Sequence, residues 1–370
     1  MKLEKVKRNI LLNPGPATTT DSVKYAQIVP DICPRETEFG ELMRSISHDL
    51  TTIVGNPDNY VTVLFGGSGT AAVESMLTSV VGNNGKVLII NNGAYGKRQT
   101  QISDAFGLDY VEFNSSPLEP IDFDLLEKEI IKYQDTLTHV SMVHHETTTG
   151  LLNDISAVGA LCKKYNLKLI ADTVSSYAGI PMDMEESNIS FMASTSNKNI
   201  QGMAGICFVI ANKSDLEELK NKPVSNFYLN LYKQYEYFEK TGQTRFTPPV
   251  QTMYALRQAI DEALEEGIDK RYERYTSCWK ILISGLDNIG LKYHVALENQ
   301  SHLITTIQEP DSPSYSFDNF HDYMIERDFT IYPGKVGELN TFRIANIGDV
   351  HPEDMSKFIE YLAVYIEALN

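Results

Sequence analysis

Asp172 closes the apolar run Leu167-Lys168-Leu169-Ile170-Ala171-Asp172, and a lone lysine, Lys198, follows 26 residues later in Ser194-Thr195-Ser196-Asn197-Lys198. A carboxylate at the end of a buried strand needs a partner, because an unpaired charge there is costly. A lysine amid small uncharged residues, with an apolar run on each side, differs from the usual solvated lysine. Taken singly, Asp172 reads equally as a turn or N-cap aspartate and Lys198 as a loop lysine. Taken together they point to pyridoxal phosphate (PLP) chemistry, which needs both. The lysine amine holds the aldehyde as a Schiff base, and the carboxylate keeps the pyridine nitrogen protonated so that the ring accepts electrons.

Other residues fit the same chemistry. Gly66-Gly67-Ser68-Gly69-Thr70 stands between an apolar run and a helical pattern. Glycines there let the backbone approach an anion, and the first N–H groups of the helix point at it. The spacing is neither a P-loop nor GxGxxG, so alone it reads also as a glycine turn with a Ser or Thr cap. Tyr95, in Asn92-Gly93-Ala94-Tyr95-Gly96, could stack on a flat ring or lie in a surface turn. In His144-His145-Glu146-Thr147-Thr148-Thr149-Gly150 the adjacent histidines lack a metal-ligand pattern, and Thr147 or Thr148 serves better as a hydroxyl beside the ring oxygen. Arg343, in a short apolar run, is either a salt-bridged structural residue or the fork for an anionic substrate. Arg245 and Thr247 lie in a short polar loop that suits a phosphate contact.

The elements that must position these residues alternate between short apolar runs and helical periodicity, the pattern of a sheet with crossover helices. Strands are expected at Tyr60–Phe65, Gly85–Ile90, Asp109–Phe113, His139–His144, Leu167–Asp172, Phe191–Ser194 and Ile206–Ile210, with helices between the first five. The fold class expected is α/β: a large domain (1–260) with a mainly parallel seven-stranded sheet, and a smaller α+β C-terminal domain (261–370). Residues 1–20 are expected to pack on the smaller part.

The chain of 370 residues has 49 Asp+Glu against 32 Lys+Arg, a formal charge of -17. That field repels phosphate backbones and anionic membranes, so nucleic acid and membrane surfaces are not expected partners. Cys33, Cys162, Cys207 and Cys278 form no CxxC pair and read as free thiols of a reducing cytoplasm. No apolar signal core follows the basic start, and no run approaches a membrane span. A cytoplasmic enzyme is expected.

The chain resembles the class V, fold-type I PLP-dependent aminotransferases, and among them most closely the 2-aminoethylphosphonate–pyruvate aminotransferases. The likeness runs from Leu11-Leu12-Asn13-Pro14-Gly15-Pro16 through Asp31-Ile32-Cys33-Pro34-Arg35-Glu36, Gly67-Ser68-Gly69-Thr70, the Glu146–Gly150 run, Asp172 and Ser196-Asn197-Lys198-Asn199 to Arg343. It implies PLP on Lys198, Asp172 at the pyridine nitrogen, and a cofactor site of Ser68, Gly69, Thr70, Tyr95, Thr148, Asn197 and Thr247. It implies that Thr247 reaches the site of a neighbouring subunit in a homodimer with shared active sites, and that Arg343 grips the substrate. The reaction implied converts 2-aminoethylphosphonate and pyruvate into phosphonoacetaldehyde and alanine. The alternatives are another class V aminotransferase using alanine or serine with glyoxylate or pyruvate, a cysteine desulfurase, or a PLP-binding regulator. Cys278, in a helical pattern, speaks against the desulfurase.

Overall fold

The computed structural model describes residues 5–82, 85–223, 225–334 and 339–369. A short strand β1 (Ile10–Leu11) and helices α1 (Asp21–Tyr25) and α2 (Thr37–Thr52) lead into the sheet. Strand β2 (Tyr60–Gly66), helix α3 (Gly69–Val80), strand β3 (Lys86–Asn91), helix α4 (Ala94–Phe106), strand β4 (Asp109–Asn114), helix α5 (Phe123–Lys132) and strand β5 (His139–Val143) then alternate. A hairpin of β6 (His145–Glu146) and β7 (Leu151–Leu152) precedes helix α6 (Ile155–Lys164). Strands β8 (Lys168–Asp172), β9 (Ile189–Thr195) and β10 (Ile206–Asn212) complete the large sheet. Helices α7 (Lys213–Glu217), α8 (Leu231–Thr241), α9 (Val250–Glu266) and α10 (Ile268–Ile289) follow. The C-terminal part comprises β11 (Ile304–Gln308), α11 (Phe317–Ile325), β12 (Phe329–Thr330), β13 (Tyr332–Pro333), β14 (Thr341–Ala345) and α12 (Pro352–Glu367).

The seven strands run in the order β2-β10-β9-β8-β5-β3-β4. Only β10 is antiparallel to its neighbours, so the other six point the same way. Apolar side chains alternate between faces: Val87 and Ile89 pack on one side with α3, and Leu88 and Ile90 on the other with α2 and α9. A sheet covered on both faces requires such strands. The winding turns back after β4, since β5 returns to the far side of β3. In open α/β sheets a ligand crevice forms beyond the strands' carboxyl ends at that reversal. Gly66, Asn91, Val143, Asp172 and Thr195 end their strands on this edge.

The smaller sheet, β11-β14-β13, is antiparallel and packs on α10, α11 and α12 through Leu282, Leu286, Phe320, Phe342 and Phe358. β1 pairs in parallel with β12, and Ile10 and Leu12 enter the same core. From there the N-terminal segment acts as a strap. Leu12 O accepts from Ala345 N at 2.8 Å, and Ala17 N donates to Asn197 O at 3.0 Å. One extended segment therefore touches both the strand that carries Arg343 and the loop that carries Lys198.

The seven-stranded, mainly parallel sheet is the one expected from the sequence. Within it β10 runs antiparallel, because a loop with no crossover helix joins it to β9. Two other features depart from the sequence reading. Helices α2 and α8 were not expected, although Phe39, Met43, Ile46 and Leu50 recur at helical spacing and line the α2 core face. Helix α4 begins at Ala94, which places Tyr95 in a helical first turn. Among the described residues no helix is long and apolar enough to cross a membrane. Leu12 is fully buried, so Leu12→Ala should cost about 3 kcal/mol by leaving a cavity beneath the strap. Urea unfolding measures this; a loss below about 1 kcal/mol would contradict the strap's place in the core.

Candidate active site

Lys198 and Asp172 line one cavity of about 180 Å³. Asp172 enters from the end of β8, buried, with Oδ1 accepting from the Val174 N–H at 3.0 Å. Burial pushes its carboxyl up to about 6; the Val174 N–H opposes the rise, the nearby Glu146 carboxyl adds to it, and Arg98 and Lys198 oppose it. Lys198 enters from the loop after β9, and its amine donates to the Pro14 carbonyl. Burial brings that amine down to about 8; Asp172 opposes the drop, and Arg343 and Arg98 add to it. Gly15, at φ 130°, has no room for a Cβ because the Lys198 side chain lies against it.

Ser68, Gly69 and Thr70 form one wall at the start of α3. Ser68 is the N-cap, yet its hydroxyl makes no capping bond, so it is not committed to its own helix. A Cβ on Gly69 would stand 2.9 Å from the Val174 side chain, which explains the glycine there. Tyr95 and Arg98 face the cavity from α4. The Arg98 guanidinium lies 4.6 Å from the Tyr95 ring centroid and donates to Thr70 Oγ1 at 3.3 Å. Arg98 escaped the sequence reading. The signal was present, because a residue three positions after Tyr95 shares its helix face.

The β6–β7 hairpin supplies the next wall. Glu146 is fully buried and accepts from Tyr95 N at 3.2 Å, Thr148 N at 3.1 Å and Thr148 Oγ1 at 2.6 Å. Thr148, expected in the cofactor set, thus commits its hydroxyl to Glu146. Thr147 is the threonine that lines the cavity, and its hydroxyl is buried without a partner. Which threonine faces inward depends on the hairpin turn, which sequence spacing does not give. His145 also lines the cavity. Its Nδ1–H donates to Ser175 O at 3.2 Å and Nε2 accepts from Ser301 Oγ at 2.8 Å, while burial lowers its pKa to about 3, so it is neutral. His144 contacts Ser176 Oγ at 2.9 Å.

Arg343 comes from β14 in the smaller sheet. Nη1 donates to Thr147 O and Nη2 to Pro333 O, each at 3.2 Å, and Nε is buried without a partner. Thr247 is exposed and lies with Tyr228 and Phe246, apart from the cavity lining. Asn197 lines the cavity, its Oδ1 accepting from Thr195 Oγ1 at 2.9 Å.

These residues fit PLP. The uncommitted Ser68 hydroxyl and the α3 N-terminus suit a phosphate, with Arg98 alongside. The orphaned Thr147 hydroxyl suits a ring oxygen, and Asp172 and Lys198 supply the acid and the amine. Val73, Val143 and Val174 give the apolar lining a flat ring needs. Without cofactor, Asp172 should destabilise the fold. Its folded pKa of about 6 exceeds the ordinary 3.8, so the ionised carboxyl is penalised above pH 6 and no penalty remains below 3.8. Asp172→Asn should therefore stabilise the cofactor-free protein by about 3 kcal/mol above pH 6, shrinking towards zero near pH 4. Urea unfolding across this range checks it; a gap independent of pH would contradict it.

Comparison with known proteins agrees with this geometry. The family model described as Aminotransferase class-V matches residues 23–314. A bifunctional phosphonoacetaldehyde hydrolase/aminoethylphosphonate transaminase of Clostridioides difficile (strain 630) is 40% identical over 96% of this chain, which spans 56% of that protein's length. A 2-aminoethylphosphonate–pyruvate transaminase of Phocaeicola vulgatus is 39% identical, covering 95% of this chain and 97% of its own. The solved alanine–glyoxylate aminotransferase of Nostoc sp. superposes with a TM-score of 0.89 at 25% identity, covering 100% of this chain and 97% of that one. Sequence match, fold and cavity agree: the chain belongs to the class-V aminotransferases, enzymes that work through PLP.

Proposed function

We propose that the chain transfers the amino group of 2-aminoethylphosphonate to pyruvate, giving phosphonoacetaldehyde and alanine. The observation that carries this reading is a single cavity holding Lys198, Asp172 and the anion cup of α3, with the Arg343 guanidinium at the Thr147 turn. The names of the relatives at 39–40% identity support the choice of substrate. PLP supplies an electron-accepting ring conjugated to the amine-bearing carbon.

The chain's own residues do the rest. Lys198 holds the cofactor and then moves the proton at that carbon; an amine near pKa 8 exchanges protons readily at working pH. Asp172 holds a proton on the ring nitrogen. Ser68, Gly69, Thr70 and Arg98 would hold the cofactor's phosphate, Tyr95 and the unpartnered Thr147 hydroxyl would hold its ring, and Asn197 orders the lysine loop. Arg343 forks onto the phosphonate, then onto the pyruvate carboxylate, since a planar guanidinium suits both. Thr247 meets the phosphate of a second copy in a homodimer. Its exposure, and that of Phe227 (75%) and Tyr228 (45%) nearby, supports that assembly. The proposed compartment is the cytoplasm, in line with four free cysteines.

With pyruvate as acceptor, kcat/KM for 2-aminoethylphosphonate should exceed that for serine or taurine at least about tenfold, one unit of 1.4 kcal/mol in transition-state binding. A coupled alanine assay reads this. Equal rates would contradict the substrate assignment, and a preference for alanine with glyoxylate would favour the activity named for the Nostoc neighbour. Lys198→Ala should lower kcat by about a thousandfold or more. Arg343→Ala should raise KM for the phosphonate about a hundredfold with a smaller effect on kcat; steady-state kinetics separate the two.

A further inference from the structure

The loop Asn197–Gly202 and the exit of β14 both rest on helix α10. Arg271, fully buried, donates from Nη1 to Asn199 O at 2.7 Å, and its charge is met by Glu266 at 2.6 Å. One turn later, Tyr275 is also fully buried. Its hydroxyl oxygen accepts from Gln201 Nε2 at 2.9 Å and from Gly348 N at 3.0 Å. Gln201 belongs to the lysine loop and adopts φ 64°, a conformation a non-glycine residue holds only when its surroundings fix it. Gly348 lies three residues past the end of β14. Arg274 Nη1 donates to Gly348 O at 2.9 Å and Val350 O at 2.8 Å, and Asn346 Nδ2 donates to Tyr275 O at 3.0 Å. A single phenol oxygen thus bridges the segment that bears the amine and the segment that leaves the anion-binding strand.

We propose that Tyr275 is a positioning residue: its hydroxyl fixes the spacing between Lys198 and Arg343, and so sets the length of amino-anion the site accepts. The proposal rests on the reading above, in which Lys198 carries PLP and Arg343 the phosphonate. The physical reason is geometric. The substrate is a short tether whose reacting amine and anchored anion are only two carbons apart, so its reach is narrow, and a misplacement of about 1 Å costs about a hundredfold in rate. Removing the oxygen leaves the Gln201 amide and the Gly348 N–H unpaired in a dry interior, which frees both segments to shift.

The test compares the parent holoenzyme with Tyr275→Phe, which keeps the ring that lies 4.8 Å from the Arg274 guanidinium. A second variant, Gln201→Met, breaks the same joint from the other side. The ratio of kcat/KM for 2-aminoethylphosphonate over 3-aminopropylphosphonate should fall about tenfold in each. The double variant should show little change beyond Tyr275→Phe, which already removes the bond that Gln201→Met breaks. A readout independent of turnover is the pH midpoint of the visible absorbance of the bound cofactor. A looser loop admits water to the Lys198 nitrogen, which favours its charged form, so the midpoint should rise by about half a unit. Asp172, Arg343 and Arg98, the charged groups that act on that nitrogen, are unaltered in both variants. A lower melting temperature with unchanged length preference and midpoint would overturn the proposal and leave the hydroxyl merely structural. If the parent does not use 2-aminoethylphosphonate, the substrate reading fails, and the absorbance midpoint still decides whether Tyr275 positions the lysine. A parent with no visible band would fell both.

Discussion

Asp172 and Lys198 are charges that the fold removes from water and does not let neutralise each other by contact. Lys198 reaches the Pro14 carbonyl, and Asp172 takes the Val174 N–H. Burial shifts each towards its neutral form, the carboxyl up to about 6 and the amine down to about 8. Such an arrangement costs stability unless a third body completes it. A ring with a basic nitrogen at one edge and an aldehyde at the other would answer both groups, and the rest of the cavity lining fits such a ring. The chain is strongly acidic overall, yet the cavity region gathers Lys198, Arg98 and Arg343 against Asp172 and Glu146. A local excess of positive charge is what a phosphate and a substrate anion need in turn.

The architecture brings these groups together by simple means. Six co-directional strands end on one edge, and the cavity-lining side chains of the large sheet's part stand at or beyond such ends. The smaller sheet adds Arg343 from outside, so its placement depends on connectors rather than on the large sheet. Two connectors are visible. The N-terminal strap bonds to Ala345 at one end and Asn197 at the other, and α10 holds the lysine loop and the β14 exit through neighbouring turns. Such redundancy suits a site whose two ends come from different layers.

Much of this was legible in the sequence where the signal is local. Strands buried on both faces announce themselves as continuous apolar runs, and an acid or a Gly-Ser-Gly-Thr turn at the end of one is conspicuous. Hence Asp172, Lys198, Ser68, Gly69, Thr70, Tyr95 and Asn197 all fall in the cavity lining. What escaped depends on conformation or on distant packing. Thr147 and Thr148 differ only in which way a hairpin turn presents them. Arg98 needed the start of α4 placed two residues earlier than its glycine suggested. The sheet is mainly parallel as expected, and which of its strands runs the other way is a property of a connection, not of the apolar run itself. Tyr275 looks in sequence like any helical core aromatic; only the bonds to Gln201 and Gly348, 74 and 73 residues away, distinguish it.

The proposed activity depends on one PLP ring held between Lys198 and Asp172. Its most direct test is to incubate the protein with PLP, reduce with borohydride, digest, and locate the pyridoxyl group by mass spectrometry. One modified peptide is expected, carrying the label on Lys198. A label on a different lysine, or none on protein that remains folded, would contradict it.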